Sequence, residues 1–140
     1  MTEQVRYGLV GTGMMGLEHI RNLALVPGAV VTAIADPVGT SLDWARAAMG
    51  AGAAGVRAFP DGAALAASGL VDAVIVSSPN FTHRRVLEPL FDAGLHILCE
   101  KPLATTIADA RWIVERADAS PAVFWTAMEY RYMPPSAVFI

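Results

Sequence analysis

Among its 140 residues the chain has one lysine, Lys101, and one cysteine, Cys99. A lone cysteine closes no internal disulfide, so cross-links are excluded as a source of stability. Charge is also scarce. Charged side chains make up 16% of the sequence and hydrophobic ones 54%, a composition that excludes an intrinsically disordered chain. Ten basic residues face thirteen acidic ones, and no basic run exceeds Arg84-Arg85. That excludes the positive footprint by which a protein holds nucleic acid. The longest uncharged stretch is only 14 residues, Asn22 to Ala35, and contains Pro27 and Gly28. A spanning helix needs about 20 apolar residues, so no membrane partner is expected. Met1 to Arg6 show no basic segment leading into an apolar one, and the expectation is a cytoplasmic protein without a signal peptide. No His, Cys or carboxylate spacing suggests a metal site, so none is expected. The length suits a single domain.

What is present is a regular alternation. Apolar, β-branched runs at Val5–Val10, Ala29–Ala35, Val56–Phe59, Ala73–Val76, Leu95–Cys99 and Ala122–Ala127 predict six strands. Between them, helical spacing predicts helices at Met14–Val26, Ser41–Met49, Asp61–Ser68, Thr82–Ala93 and Thr106–Ala117. Asp61 after Pro60 predicts an N-cap, and Gly94 a helix stop. The glycine-rich stretch 50–55 reads as a loop. Strands joined by helical crossovers predict an α/β doubly wound parallel sheet.

Two features of this pattern carry chemistry. Gly11-Thr-Gly13-Met-Met-Gly16 follows the first strand directly and opens the first helix. In that position Gly11 serves the tight turn, Gly13 the approach of a pyrophosphate, and Gly16 the packing of helix on strand. Met14 and Met15 fill its variable positions and would pack against helix and cofactor. Asp36 ends the second strand, 20 residues beyond Gly16, where a carboxylate accepts from the adenosine ribose hydroxyls. Residues 37–39 include no arginine, so a 2′-phosphate would be repelled and NAD is favoured over NADP.

Of the ten lysine and arginine side chains nine are arginines, which keep their proton near neutral pH, so Lys101 is the one of the ten suited to proton transfer. It lies in Cys99-Glu100-Lys101-Pro102 after the fifth strand, and Ser77-Ser78-Pro79-Asn80-Phe81-Thr82-His83 follows the fourth. Both stand at the carboxyl ends of strands, where open α/β sheets bind ligands.

The glycine-rich segment, Pro79-Asn80-x-x-His83, Glu100-Lys101-Pro102 and Tyr130-Arg131-Tyr132-Met133-Pro134 together resemble the Gfo/Idh/MocA family of oxidoreductases, named for glucose-fructose oxidoreductase, inositol dehydrogenase and rhizopine catabolism. The resemblance implies a Rossmann domain over residues 1–128. It implies that residues 129–140 begin the linker and first helix of a missing C-terminal α+β substrate domain. It also implies hydride transfer between nicotinamide and a sugar, polyol or related secondary alcohol. Lys101 is then the catalytic residue, near the nicotinamide and the substrate oxygen, with its pKa lowered by the cationic ring. Glu100 contacts the nicotinamide ribose, and Pro102, after a bond that is often cis, directs the lysine. Ser78, Pro79 and Asn80 line the dinucleotide groove.

Some alternatives stay open. His83 matches the family turn but is equally a capping or packing histidine. His19, His96 and Cys99 read as structural, and Trp44, Trp112 and Trp125 as core residues. The chain is expected to be inactive alone, as the cofactor half of an enzyme. The alternative is a non-catalytic dinucleotide-binding module that acts through a protein partner. Bulky residues in the last strand and the tail predict self-association into a homo-oligomer through the C-terminal segment.

Overall fold

The computed structural model describes residues 4–134 and Val138. Six strands form one parallel sheet: β1 (Val5–Val10), β2 (Ala29–Ala35), β3 (Arg57–Phe59), β4 (Ala73–Val76), β5 (His96–Cys99) and β6 (Phe124–Thr126). Their order is β3-β2-β1-β4-β5-β6. Five helices make the crossovers: α1 (Met14–Leu23), α2 (Gly39–Met49), α3 (Gly62–Ala66), α4 (His83–Asp92) and α5 (Ile107–Ala119). Asp61 caps α3 by accepting from the Ala64 amide at 2.8 Å, and Gly94 leaves α4 with φ +68°.

Strand alternation splits the core into two layers. From β4, Val74 and Val76 enter the layer under α3, α4 and α5, with Leu65, Leu87, Leu90 and Ile113. Ile75 points the other way, to Ile20 and Leu23 of α1 and Ala45 of α2. Leu65, Leu87 and Leu90 are fully buried, each worth about 1.5–3 kcal/mol over an exposed side chain. Helices α1 and α2 cover only part of their face. A depression of about 360 Å³, lined by Leu23, Ile75, Leu98 and Trp125 among others, lies over β4–β6.

The register positions the site. Val10 pairs with Ala35 and Val76, Ala35 with Phe59, Val76 with Cys99, and Cys99 with Thr126. The strands therefore end at one level. Gly11, Asp36, Ser77, Glu100 and Ala127 all leave the sheet along the same edge.

Several expected boundaries shift. Helix α1 stops at Leu23 and not Val26, because residues 24–26 form tighter turns, with the Leu25 amide donating to Asn22 O and that of Val26 to Leu23 O. Asn80–Thr82 form a 3₁₀ turn before α4, and Gly50–Ala53 another where a loop was expected. Glu129–Tyr132 form a 3₁₀ turn; the rest of the anticipated linker and first helix lies mostly outside the described residues. The core reading of the tryptophans fails at Trp44 and Trp125, which are 59% and 41% exposed. Trp112 packs edge-on against Phe91, with the Arg84 guanidinium 3.8 Å above its ring centre.

Candidate dinucleotide site

The turn after β1 is shaped by close approaches that only glycine allows. Gly11 has φ +90°, and a Cβ there would stand 2.5 Å from the Ser78 amide nitrogen. A Cβ on Gly16 would stand 2.3 Å from Gly11 O, whereas one on Gly13 would meet nothing within 4 Å. Gly11 and Gly16 thus serve the fold, and Gly13 leaves open space at the start of α1. Ser77 Oγ donates to Gly11 O at 2.7 Å, tying the turn to the end of β4.

Asp36 anchors the same turn. Its Oδ2 accepts from the Thr12 amide at 2.8 Å and from Thr12 Oγ1 at 3.2 Å, while Oδ1 accepts from the Val38 amide at 2.9 Å. Each oxygen retains lone-pair capacity toward a ligand. Gly11, Gly13, Met14, Met15, Asp36, Ser78 and Pro79 line a groove of about 1120 Å³. Arg85, from α4, also stands on its wall. The absence of arginine just after Asp36 therefore does not leave the groove without a cation.

The second half of the edge holds the lysine. Glu100 is 7% exposed; its Oε1 lies 2.8 Å from His19 Nε2 and its Oε2 accepts from the Lys101 amide at 3.1 Å. The Lys101–Pro102 bond is cis. Lys101 Nζ lies 3.1 Å from Glu129 Oε1 and 5.7 Å from the centre of the Tyr130 ring. The Glu129 hydrogen bond raises the Lys101 pKa above the ordinary lysine value. The Glu129 carboxyl is held below its usual range, first by its own backbone amide and then by Lys101. A cleft of about 610 Å³ opens here, lined by Lys101, Pro102, Met128, Glu129, Tyr130 and Arg131.

Other expected residues have different surroundings. His83 is 1% exposed, with Nε2 3.0 Å from Ser78 O and Nδ1 3.1 Å from Leu103 O. Its ring braces the loop after β4 against the loop after Pro102. Asn80 opens the 3₁₀ turn between them. His96 Nδ1 accepts from the Val123 amide at 3.0 Å, fastening the entry to β6. Burial pushes the Cys99 thiol up to about 12, so it stays protonated and unreactive at neutral pH. Among the described residues no helix is long and apolar enough to cross a membrane, and no cluster of three His, Cys, Asp or Glu could hold a metal ion.

Sequence reasoning missed four partners. Thr12 had a local signal, since it sits between two fingerprint glycines. Glu129 adjoins the Tyr130–Pro134 motif. His19 and Arg85 had none, because their neighbours come from distant segments.

These residues fit a dinucleotide. The residue before α1 is Gly13, which has no side chain to cap the first turn, so the helix meets the groove with uncapped amides and a positive dipole. The open space at Gly13, the Asp36 carboxylate and the sheet order together define a dinucleotide-binding Rossmann domain. A family model described as "Oxidoreductase family, NAD-binding Rossmann fold" matches residues 5–128. The chain belongs to this family, Gfo/Idh/MocA, and forms its NAD-binding Rossmann fold.

Its relatives include inositol 2-dehydrogenase 3 of Saccharopolyspora erythraea, 44% identical over 116 residues, which cover 82% of this chain and 33% of the relative. Inositol 2-dehydrogenase 1 of the same organism is 40% identical over 137 residues, 96% of this chain and 39% of the relative. Among solved structures, myo-inositol dehydrogenase of Lactobacillus casei in complex with NAD(H) and myo-inositol superposes with TM-score 0.83 at 32% identity, over 94% of this chain and 38% of the other. The WlbA dehydrogenase of Bordetella pertussis in complex with NADH and UDP-GlcNAcA gives 0.87 at 27% identity, over 97% and 40%. The chain thus spans 33% to 39% of the length of these two curated relatives.

Proposed function

We propose that this chain is the cofactor half of an NAD-dependent oxidoreductase that moves a hydride between nicotinamide and a secondary alcohol of a sugar or polyol. The observation that carries the reading is Lys101, the only lysine of the chain, on the same sheet edge as the glycine-rich turn and beside an open cleft. The inositol dehydrogenases among the relatives favour a cyclic polyol within that class.

In this reading the first-turn amides of α1, with Met14 and Met15 around them, hold the pyrophosphate. Asp36 accepts from the adenosine ribose hydroxyls. Ser78 and Pro79 line the groove, Asn80 opens the 3₁₀ turn beside them, His83 braces their loop, and Glu100 faces the nicotinamide ribose. Bound nicotinamide supplies the hydride donor or acceptor. Lys101 supplies charge and a proton: its ammonium hydrogen-bonds the substrate oxygen, stabilises developing alkoxide, and donates to that oxygen in the direction of reduction. Residues 1–128 form the cofactor domain, and residues 129–140 lead toward a substrate domain that completes the pocket.

The test is made in a longer protein containing this chain and a substrate domain. Lys101→Met is expected to abolish hydride transfer to or from a polyol while NADH binding stays within a small factor. Lys101→Arg is expected to fail too, because it keeps the charge but does not readily give up a proton. Turnover by the methionine variant would overturn the reading.

A further inference from the structure

One buried contact joins the glycine-rich helix to the lysine loop. His19 lies on α1, three residues beyond Gly16, so it shares the face that packs on the sheet. Its Nε2 is 2.8 Å from Glu100 Oε1, and the two side chains are 16% and 9% exposed. The other Glu100 oxygen holds the Lys101 amide. The three groups form a chain from α1, through the carboxylate, to the backbone of Lys101. The partners are 81 positions apart, so nothing in the local helix requires the contact.

We propose that His19 is a positioning residue for the nicotinamide end of the site: it orients the Glu100 carboxylate, and through it fixes Lys101 relative to the helix that holds the pyrophosphate. The inference rests on the dinucleotide reading above and adds to it a residue that aligns the two ends of the cofactor. A nearly buried carboxylate that loses a hydrogen-bond donor bears the cost of its desolvation. It turns toward water, and the Lys101 amide loses its acceptor. His19 does not line the groove that contains Asp36 and Gly13. The adenosine half of the site is therefore insulated from this change, and the nicotinamide half is not.

The experiment is calorimetric titration of the 140-residue chain with NADH and with ADP, which lacks both the nicotinamide and its ribose. His19→Leu is expected to weaken NADH about tenfold, the loss of one hydrogen bond to a charged group, and to leave ADP within about twofold. His19→Gln retains an N–H donor and is expected to recover most of the NADH affinity. Equal loss of both ligands would mean a purely structural histidine and overturn the proposal, as would a leucine variant that binds NADH like the wild type or a glutamine variant no better than leucine. If the wild type binds neither ligand, the dinucleotide reading falls and this proposal with it. If it binds both and only the split between them is missing, the role of His19 alone falls.

Discussion

Lys101 Nζ stands 3.1 Å from Glu129 Oε1, bridging the loop after β5 and the turn after β6. The pair raises the Lys101 pKa, with smaller contributions from Tyr130 and Glu100. His19 in turn lies close enough to help lower that of Glu129. Without Glu129 the ammonium loses its nearest anion, and its pKa falls.

Because the chain has one lysine, ¹³C-methylation of amines gives one side-chain signal apart from the N-terminus. Glu129→Gln is expected to titrate at lower pH than the wild type in an NMR pH series. An unchanged midpoint would show that the pair does not persist in solution.

The two later fingerprint glycines should separate stability from binding. Gly16→Ala brings a Cβ against Gly11 O, an overpacking expected to cost about 1–3 kcal/mol and visible as a lower Tm. Gly13→Ala meets no protein atom within 4 Å, so Tm should hold. Its methyl group instead intrudes on the pyrophosphate position, and calorimetry should show NADH affinity falling by at least about tenfold, or about 1.4 kcal/mol.

Asp36 holds Thr12 and Val38 as well as facing the groove. Asp36→Ala is expected to weaken NADH by about tenfold or more and to narrow the preference over NADPH, since the ribose acceptor and the repulsion disappear together. Tighter NADPH than NADH binding by the wild type would contradict the carboxylate argument and point to Arg85.

Arg6 grips Asp72 through its Nε (3.1 Å), a terminal nitrogen (2.6 Å) and its own amide (2.9 Å). The Arg6 side chain first, then the amide, lowers the Asp72 pKa. A depressed carboxyl pKa stabilises the fold above the unfolded value, and that contribution disappears as pH falls through the folded one. With the side chains 43% and 39% exposed, Asp72→Ala should cost only about 0.5–1 kcal/mol at neutral pH. Thermal melts should show the two proteins converging in strong acid; a gap that widens there would refute the sign.

Val123, Trp125, Tyr130 and Tyr132 are 64%, 41%, 62% and 65% exposed beside β6, the last strand of the sheet among the described residues. We expect the 140-residue chain to associate through this segment. Light scattering should give a larger mass for it than for a chain ending at Ala127. Equal monomeric masses would clear the segment of that role.

The alternation of strands and helices, the glycine-rich turn and Asp36 at the end of β2 were legible because each depends on local periodicity or on residues a few positions apart. Helix ends were less so: α1 stops at Leu23 through turn hydrogen bonds that compete closely with the helical ones. Trp44 and Trp125 misled because hydrophobicity says that a side chain favours cover, not that the fold supplies it. The pairs around the lysine lay beyond sequence reading altogether. His19 meets Glu100, Lys101 meets Glu129, and Arg85 reaches the groove of Asp36 only because parallel crossovers bring strand ends far apart in the chain to one level. That register comes from burying both faces of the sheet at once, a condition that no single segment contains.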